Sequence, residues 1–171
     1  MASLQIRLEP RALGASLRVF PIAWGCWRFA GTSVKEAREK IEAALEVGID
    51  LFDHADIYGG EGAAEDLFGR VLAETPALRQ RMVIATKGGI IQGVPYDSGA
   101  THLATACEGS LKRLRTDVID LYQVHRPDLL THPQELAATL ERLRRDGKIR
   151  EVSVTNFTRN QFDALQGHMP F

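Results

Sequence analysis

Asp53, Tyr58, Lys87 and His125 each close or follow a hydrophobic run, and together they can move a proton onto an oxygen. A tyrosine hydroxyl, with an ordinary pKa of about 10, exchanges protons poorly near neutrality. A neighbouring ammonium favours the phenolate, and a carboxylate can hold that ammonium charged and oriented. A histidine alongside can orient a carbonyl oxygen or share the proton. Such a set suits protonation of a carbonyl oxygen as a hydride reaches its carbon. No side chain supplies hydride, so a cofactor must bring it.

Each of these residues has an ordinary use when taken singly. An aspartate often caps a strand end, a lysine is usually solvated, and a tyrosine or histidine usually packs. Their order along the chain carries the signal, and that order depends on the elements around them. Residues 22–26, 49–53, 82–86, 118–124 and 149–154 read as strands, with helical periodicity between them. Ser33 and Glu36 form a capping-box pattern ahead of Ala37, Ile41, Ala44 and Leu45, and Gly48 stands where a helix ends. Residues 61–72, 101–114 and 133–146 read as further helices. Thr158 and Gln161 repeat the capping-box pattern ahead of Phe162 and Leu165. A glycine-bearing loop over residues 88–100 follows the third strand.

Five β-α units in series call for a parallel sheet with right-handed crossovers. The strand ends fall near residues 26, 53, 87, 125 and 156. At that pace a closed (β/α)8 barrel needs roughly 250 residues. The expected fold is therefore α/β: about five units of a TIM barrel after an N-terminal hairpin, residues 1–171 making one incomplete barrel domain. The chain reads as a fragment or the product of a truncated gene. Chemistry in such a barrel gathers at the C-terminal strand ends. The hairpin is expected to pair residues 4–8 with 16–20 around a turn over residues 10–14.

Composition narrows the function further. Twenty-one Lys and Arg face 22 acids, for a net charge of −1, which offers no support for a nucleic-acid or anionic-membrane partner. No apolar run is long enough for a transmembrane helix. Cys26 and Cys107 fit neither a disulfide framework nor a zinc pattern, and both are expected reduced in the interior of a cytoplasmic protein. His54 should pack on the opposite side of its strand from Asp53. His102, His132 and His168 lack partners at metal-ligand spacing, so no metal site is expected. Gly59-Gly60-Glu61-Gly62 lacks the third glycine of a dinucleotide fingerprint and reads as a tight turn.

Between them, Asp53-His54-Ala55-Asp56-Ile57-Tyr58-Gly59-Gly60, Thr86-Lys87-Gly88-Gly89, Ser110-Leu111-Lys112-Arg113-Leu114, His125-Arg126-Pro127-Asp128 and Gly147-Lys148-Ile149-Arg150 give an ordered pattern. On these residues the chain resembles the aldo-keto reductases, in a bacterial-type branch, from about residue 19 to residue 171. That resemblance implies NADPH-dependent reduction of an aldehyde or ketone, with Tyr58 as proton donor, Asp53 and Lys87 tuning it, and His125 orienting the substrate. It also implies that Cys26, Trp27 and Arg28 line the mouth beside the cofactor, with Asp53 close by. Thr155 and Asn156 match the pair that holds the nicotinamide carboxamide. The family's usual Gly-Val-Ser-Asn-Phe is here Ser153-Val154-Thr155-Asn156-Phe157, so a hydroxyl is kept and a glycine is lost, which is expected to crowd the strand. The family's nicotinamide-stacking aromatic, a cofactor-binding glutamine and its phosphate-gripping basic segment correspond to positions after residue 171. The expected partner is a small carbonyl compound, with a monomer or weak oligomer as the assembly. An alternative is a truncated or non-catalytic aldo-keto-reductase-like protein with a binding role or no independent role. A lyase or isomerase on a TIM barrel lacks any paired-carboxylate or phosphate motif.

Overall fold

A computed structural model describes residues 8–94 and 96–171. Among these described residues seven strands and five α-helices follow in order: β1 (Arg11–Leu13), β2 (Leu17–Val19), β3 (Ala23–Gly25), α1 (Val34–Glu46), β4 (Leu51–Asp53), α2 (Ala63–Glu74), β5 (Val83–Gly88), α3 (Ala100–Leu114), β6 (Ile119–Val124), α4 (Pro133–Arg145), β7 (Ile149–Val154) and α5 (Arg159–Gln166). Strands β3 to β7 form one parallel sheet in sequential order, and β1 pairs with β2 antiparallel. The expected alternation of strand and helix therefore holds.

Strand alternation splits the sheet into two chemistries. On the helix side, Phe52, Ile84, Tyr122 and Val152 join Phe68, Leu103, Leu140 and Leu143 in one buried core. On the other side, Ala85 and Leu121 pack with Leu17 of β2, so the hairpin covers the N-terminal part of that face. Glu151 of β7 accepts hydrogen bonds from the Ser16 N–H (2.7 Å) and hydroxyl (2.5 Å), tying the hairpin turn to the sheet. Leu51, Asp53, Ala85, Lys87, Leu121 and Gln123 follow one another on this same face, apolar near the hairpin and polar toward the C-terminal ends.

Both capping boxes form, at Ser33/Glu36 and Thr158/Gln161. Helix α2 begins two residues later than its periodicity implied, because Gly62 at its N-cap is left-handed (φ 82°) and cannot belong to the helix. A Cβ there would also stand 2.3 Å from the Arg113 side chain. The hairpin shifts too: β1 occupies residues expected to turn, and the turn falls at Gly14 (φ 67°). Of the strand expected over residues 4–8, only Leu8 is among the described residues, and it is exposed. A 3-10 helix over Pro76–Arg81, which no periodicity announced, links α2 to β5. Ser153 sits in unbroken register opposite Gln123, so the serine in place of glycine leaves the β6–β7 ladder intact.

Candidate active site

Three parallel strands carry a carboxylate, an ammonium and an imidazole to one place. Asp53 ends β4, Lys87 is the penultimate residue of β5, and His125 directly follows β6. Backbone bonds between strand ends continue past the ladder: His54 N–H to the Ala85 carbonyl (2.8 Å), Asp56 N–H to the Lys87 carbonyl (3.0 Å) and His125 N–H to the Gly88 carbonyl (2.9 Å). The tyrosine arrives on a turn, its own N–H bonded to the Ala55 carbonyl (3.0 Å) and its carbonyl accepting from Ala64 at the start of α2 (3.1 Å).

Lys87 is the hub. Its side chain is nearly buried, at 5% residue exposure, and its ammonium donates to Asp53 Oδ1 (2.7 Å), to the His54 carbonyl (2.7 Å) and to Tyr58 Oη (3.4 Å). The ammonium also stands 5.0 Å from the Tyr58 ring centroid, within cation–π range. His125 meets that tyrosine edge to face, centroids 5.9 Å apart. Burial, then the charges of Lys87 and Arg126, pull the His125 pKa down to about 4. The imidazole is thus neutral near pH 7, and its Nδ1 is buried without a partner among the described residues. A neutral imidazole carries one N–H, available to a carbonyl oxygen.

His54 turns the other way, as expected: it is fully buried with its ring edge on Phe68 (4.6 Å), and burial and the Lys87 charge lower its pKa to about 3. Thr155 and Asn156 follow β7. The Thr155 hydroxyl (2.5 Å) and the Asn156 Nδ2 (2.8 Å) both donate to the His125 carbonyl, joining the fifth strand end to the fourth. Asn156 adopts a left-handed φ of 64°, which asparagine tolerates better than most residues. Trp27 is 64% exposed with the Arg28 guanidinium 5.3 Å above its ring. Cys26 is fully buried in the helix-side core with its N–H on the Asp53 carbonyl, so its side chain, unlike the exposed Trp27 and Arg28, presents no surface to a cofactor. Burial keeps its thiol far above the ordinary cysteine range. Cys26 and Cys107 are both free and buried, as expected.

A second polar group lies beneath these residues on the helix side. Glu65 of α2 is fully buried, accepting from the Thr86 hydroxyl and from Arg113 Nε (2.8 Å). Asp56, two residues before Tyr58, has a buried Oδ1 with no partner among the described residues, and burial together with the Glu65 charge lifts its pKa to about 7. Glu65 reads in the sequence as an ordinary first-turn acid. Arg113, one helix later, was the signal for its burial, since a fully buried carboxylate needs a partner.

No group of three or more His, Cys, Asp or Glu among the described residues is placed to hold a metal ion. No described helix is long and apolar enough to cross a membrane. For a nicotinamide cofactor the donor set is suitable. Tyr58, Lys87 and His125 converge at the strand ends, and Asn156 commits its amide N–H2 while its Oδ1 takes no hydrogen bond among the described residues.

The model of the aldo/keto reductase family matches residues 21–171. A 6-dehydroglucose reductase of Novosphingobium aromaticivorans is 49% identical over 173 residues, covering 96% of this chain and 57% of that protein. A 6-dehydroglucose reductase of Agrobacterium fabrum is 38% identical, covering 92% and 57%. Among solved structures, a glycerol dehydrogenase of Gluconobacter oxydans superposes with a TM-score of 0.83 at 34% identity, covering 96% of this chain and 53% of that one. The chain thus spans about half the length of the relatives it matches, and its sheet corresponds to five β-α units of their (β/α)8 barrel. Strand order, the placement of Asp53, Tyr58, Lys87 and His125 and these likenesses agree: the chain belongs to the aldo-keto reductase family.

Proposed function

We propose that the protein carrying this chain reduces an aldehyde or ketone to an alcohol with NADPH, Tyr58 giving the proton. The observation that carries this reading is the Lys87 ammonium held by Asp53 and the His54 carbonyl while also reaching Tyr58 Oη. NADPH, when bound, supplies the hydride. As negative charge grows on the substrate oxygen, the Tyr58 hydroxyl donates its proton there, and the phenolate charge left behind is met by the fixed ammonium. Because Asp53 is already bonded to Lys87, the ammonium needs no rearrangement at that moment. His125, neutral near pH 7, donates its single N–H to the same oxygen and fixes the carbonyl's direction.

Thr155 and Asn156 would receive the nicotinamide carboxamide, and Trp27 and Arg28 would flank it at the rim. Two relatives share the name 6-dehydroglucose reductase, which favours a sugar carrying an aldehyde as the substrate class. A cytoplasmic setting and a monomer or weak oligomer go with this reading. The test is turnover by the natural protein: NADPH and NADH oxidation against an aldehyde-bearing sugar, a simple aldehyde and a simple ketone. The proposal expects NADPH oxidation that depends on the carbonyl compound, fastest with the sugar aldehyde. Tight NADPH binding with no carbonyl-dependent oxidation across the set would instead favour a binding protein.

A further inference from the structure

The loop after Lys87 and the loop after His125 are joined by more than their strand-end bond. Going outward, His125 N–H donates to the Gly88 carbonyl (2.9 Å), and the Arg126 guanidinium lies 5.9 Å from the Tyr96 ring centroid. Next, the Ser98 N–H donates to Asp128 Oδ2 (3.1 Å). Asp128 binds its own loop as well: Leu130 N–H to Oδ1 (2.9 Å) and the Thr131 hydroxyl to Oδ2 (2.6 Å). One carboxylate therefore holds three donors from two loops. No other side chain among the described residues bridges these loops by a hydrogen bond.

What the bridge shapes is a groove starting two residues beyond His125, walled by Tyr96, Pro127, Asp128, Leu129, Leu130 and Gln161. Leu129 and Leu130 are 85% and 96% exposed, so packing does not hold this wall in place. Asp53, Lys87 and His125, by contrast, are anchored through ladder and strand-end bonds that do not involve Asp128. The two sets of contacts are separable.

We propose that Asp128 is a positioning residue: it latches residues 96–99 to the β6–α4 loop and so sets the wall against which the substrate's non-reacting part rests. This rests on the carbonyl-reductase reading above. Carboxylate hydrogen bonds are among the stronger ones in proteins, so loss of all three loosens both loops. Substrate binding should suffer while the proton-transfer geometry persists, a pattern of raised KM at retained kcat.

The experiment compares Asp128→Ala, Asp128→Asn and Thr131→Val in the natural protein, by hydrogen exchange and steady-state kinetics. For Asp128→Ala the proposal expects exchange at residues 96–99 to quicken about tenfold and KM for the carbonyl compound to rise about tenfold. It expects kcat to stay within about threefold and the NADPH Kd to be unchanged. Asp128→Asn, which keeps acceptor oxygen but no charge, should fall between, and it decides the matter if the alanine variant does not fold. Thr131→Val should leave exchange at residues 96–99 as in wild type, since the Ser98 bond survives. Unchanged exchange in the Asp128 variants would overturn the latch. Faster exchange with unchanged KM, or a parallel loss of kcat, cofactor affinity and thermal stability, would overturn its positioning role. A wild-type protein that reduces no carbonyl compound refutes the proposed function, while the exchange readout still decides the latch.

Discussion

Replacing Lys87 by methionine tests the electrostatic core of the site. Methionine nearly matches the lysine stem but loses the charge and three donor contacts, to Asp53, the His54 carbonyl and Tyr58. With Nζ 3.4 Å from Tyr58 Oη, a full charge on that oxygen would be met by about 5 kcal/mol at an effective dielectric of ~20, and by about 1 kcal/mol in bulk water. Lys87 is nearly buried but the Asp53 side chain is one-third exposed, so the site lies between those limits. A middle value of about 3 kcal/mol corresponds to a loss of roughly a hundredfold or more in kcat/KM. The stability cost should be smaller, about 1–2 kcal/mol, because water reaches the one-third-exposed Asp53 carboxylate once its partner is gone. The assay is kcat/KM for carbonyl reduction beside NADPH affinity and a urea denaturation curve. Asp53→Asn combined with Lys87→Met should cost little more than Lys87→Met alone, since the two act through one contact. Activity within threefold of wild type in Lys87→Met, with the fold intact, would refute the reasoning.

Other consequences can be checked on stability alone. Because the folded-state pKa of His54 lies near 3, below the ordinary 6.5, the unfolded chain binds the extra proton first as pH falls. Stability present above pH 6.5 should therefore drain away between pH 6.5 and 3, and His54→Leu should flatten that fall in denaturation curves taken across the window. Asp56 has the opposite sign: with its pKa raised to about 7, its contribution is full below pH 3.8 and lost as pH rises through 7. Asp56→Asn should remove that loss and leave the protein at least as stable as wild type at pH 8. Gly88→Ala places a Cβ 2.2 Å from Tyr122 Oη and should cost about 1–3 kcal/mol by overpacking, most of it restored by adding Tyr122→Phe. Ser33→Ala should cost about 1 kcal/mol by removing the α1 cap, read as a lowered urea midpoint at unchanged slope.

The residues of the site were legible because parallel strands deliver their ends in sequence order, so a run of strand-end motifs translates directly into neighbours in space. Asp53, Lys87 and His125 arrive that way, and Tyr58 only needed a turn of known length. The capping boxes were legible for a related reason, being wholly local. What stayed hidden depends on partners far along the chain. The buried Glu65 needs Arg113, 48 residues later, and the Asp128 bridge needs the backbone N–H of Ser98, a donor that every residue but proline carries. The hairpin turn is ambiguous in the sequence because Pro10 and Gly14 both signal turns, and the pairing of Arg11 with Val19 decides between them. The resemblance matches Thr155 and Asn156 to a cofactor; the structure shows them bonded to the His125 carbonyl, where they fix the loop that carries the histidine.

The most direct test of the central claim is Tyr58→Phe in the natural protein, measuring carbonyl-dependent NADPH oxidation and NADPH affinity side by side. The account predicts a loss of about 10²–10⁴-fold in kcat with NADPH affinity unchanged, because only the proton donor is removed. Turnover close to wild type in that variant would contradict the assignment of Tyr58 as the acid, and with it the reading of this site.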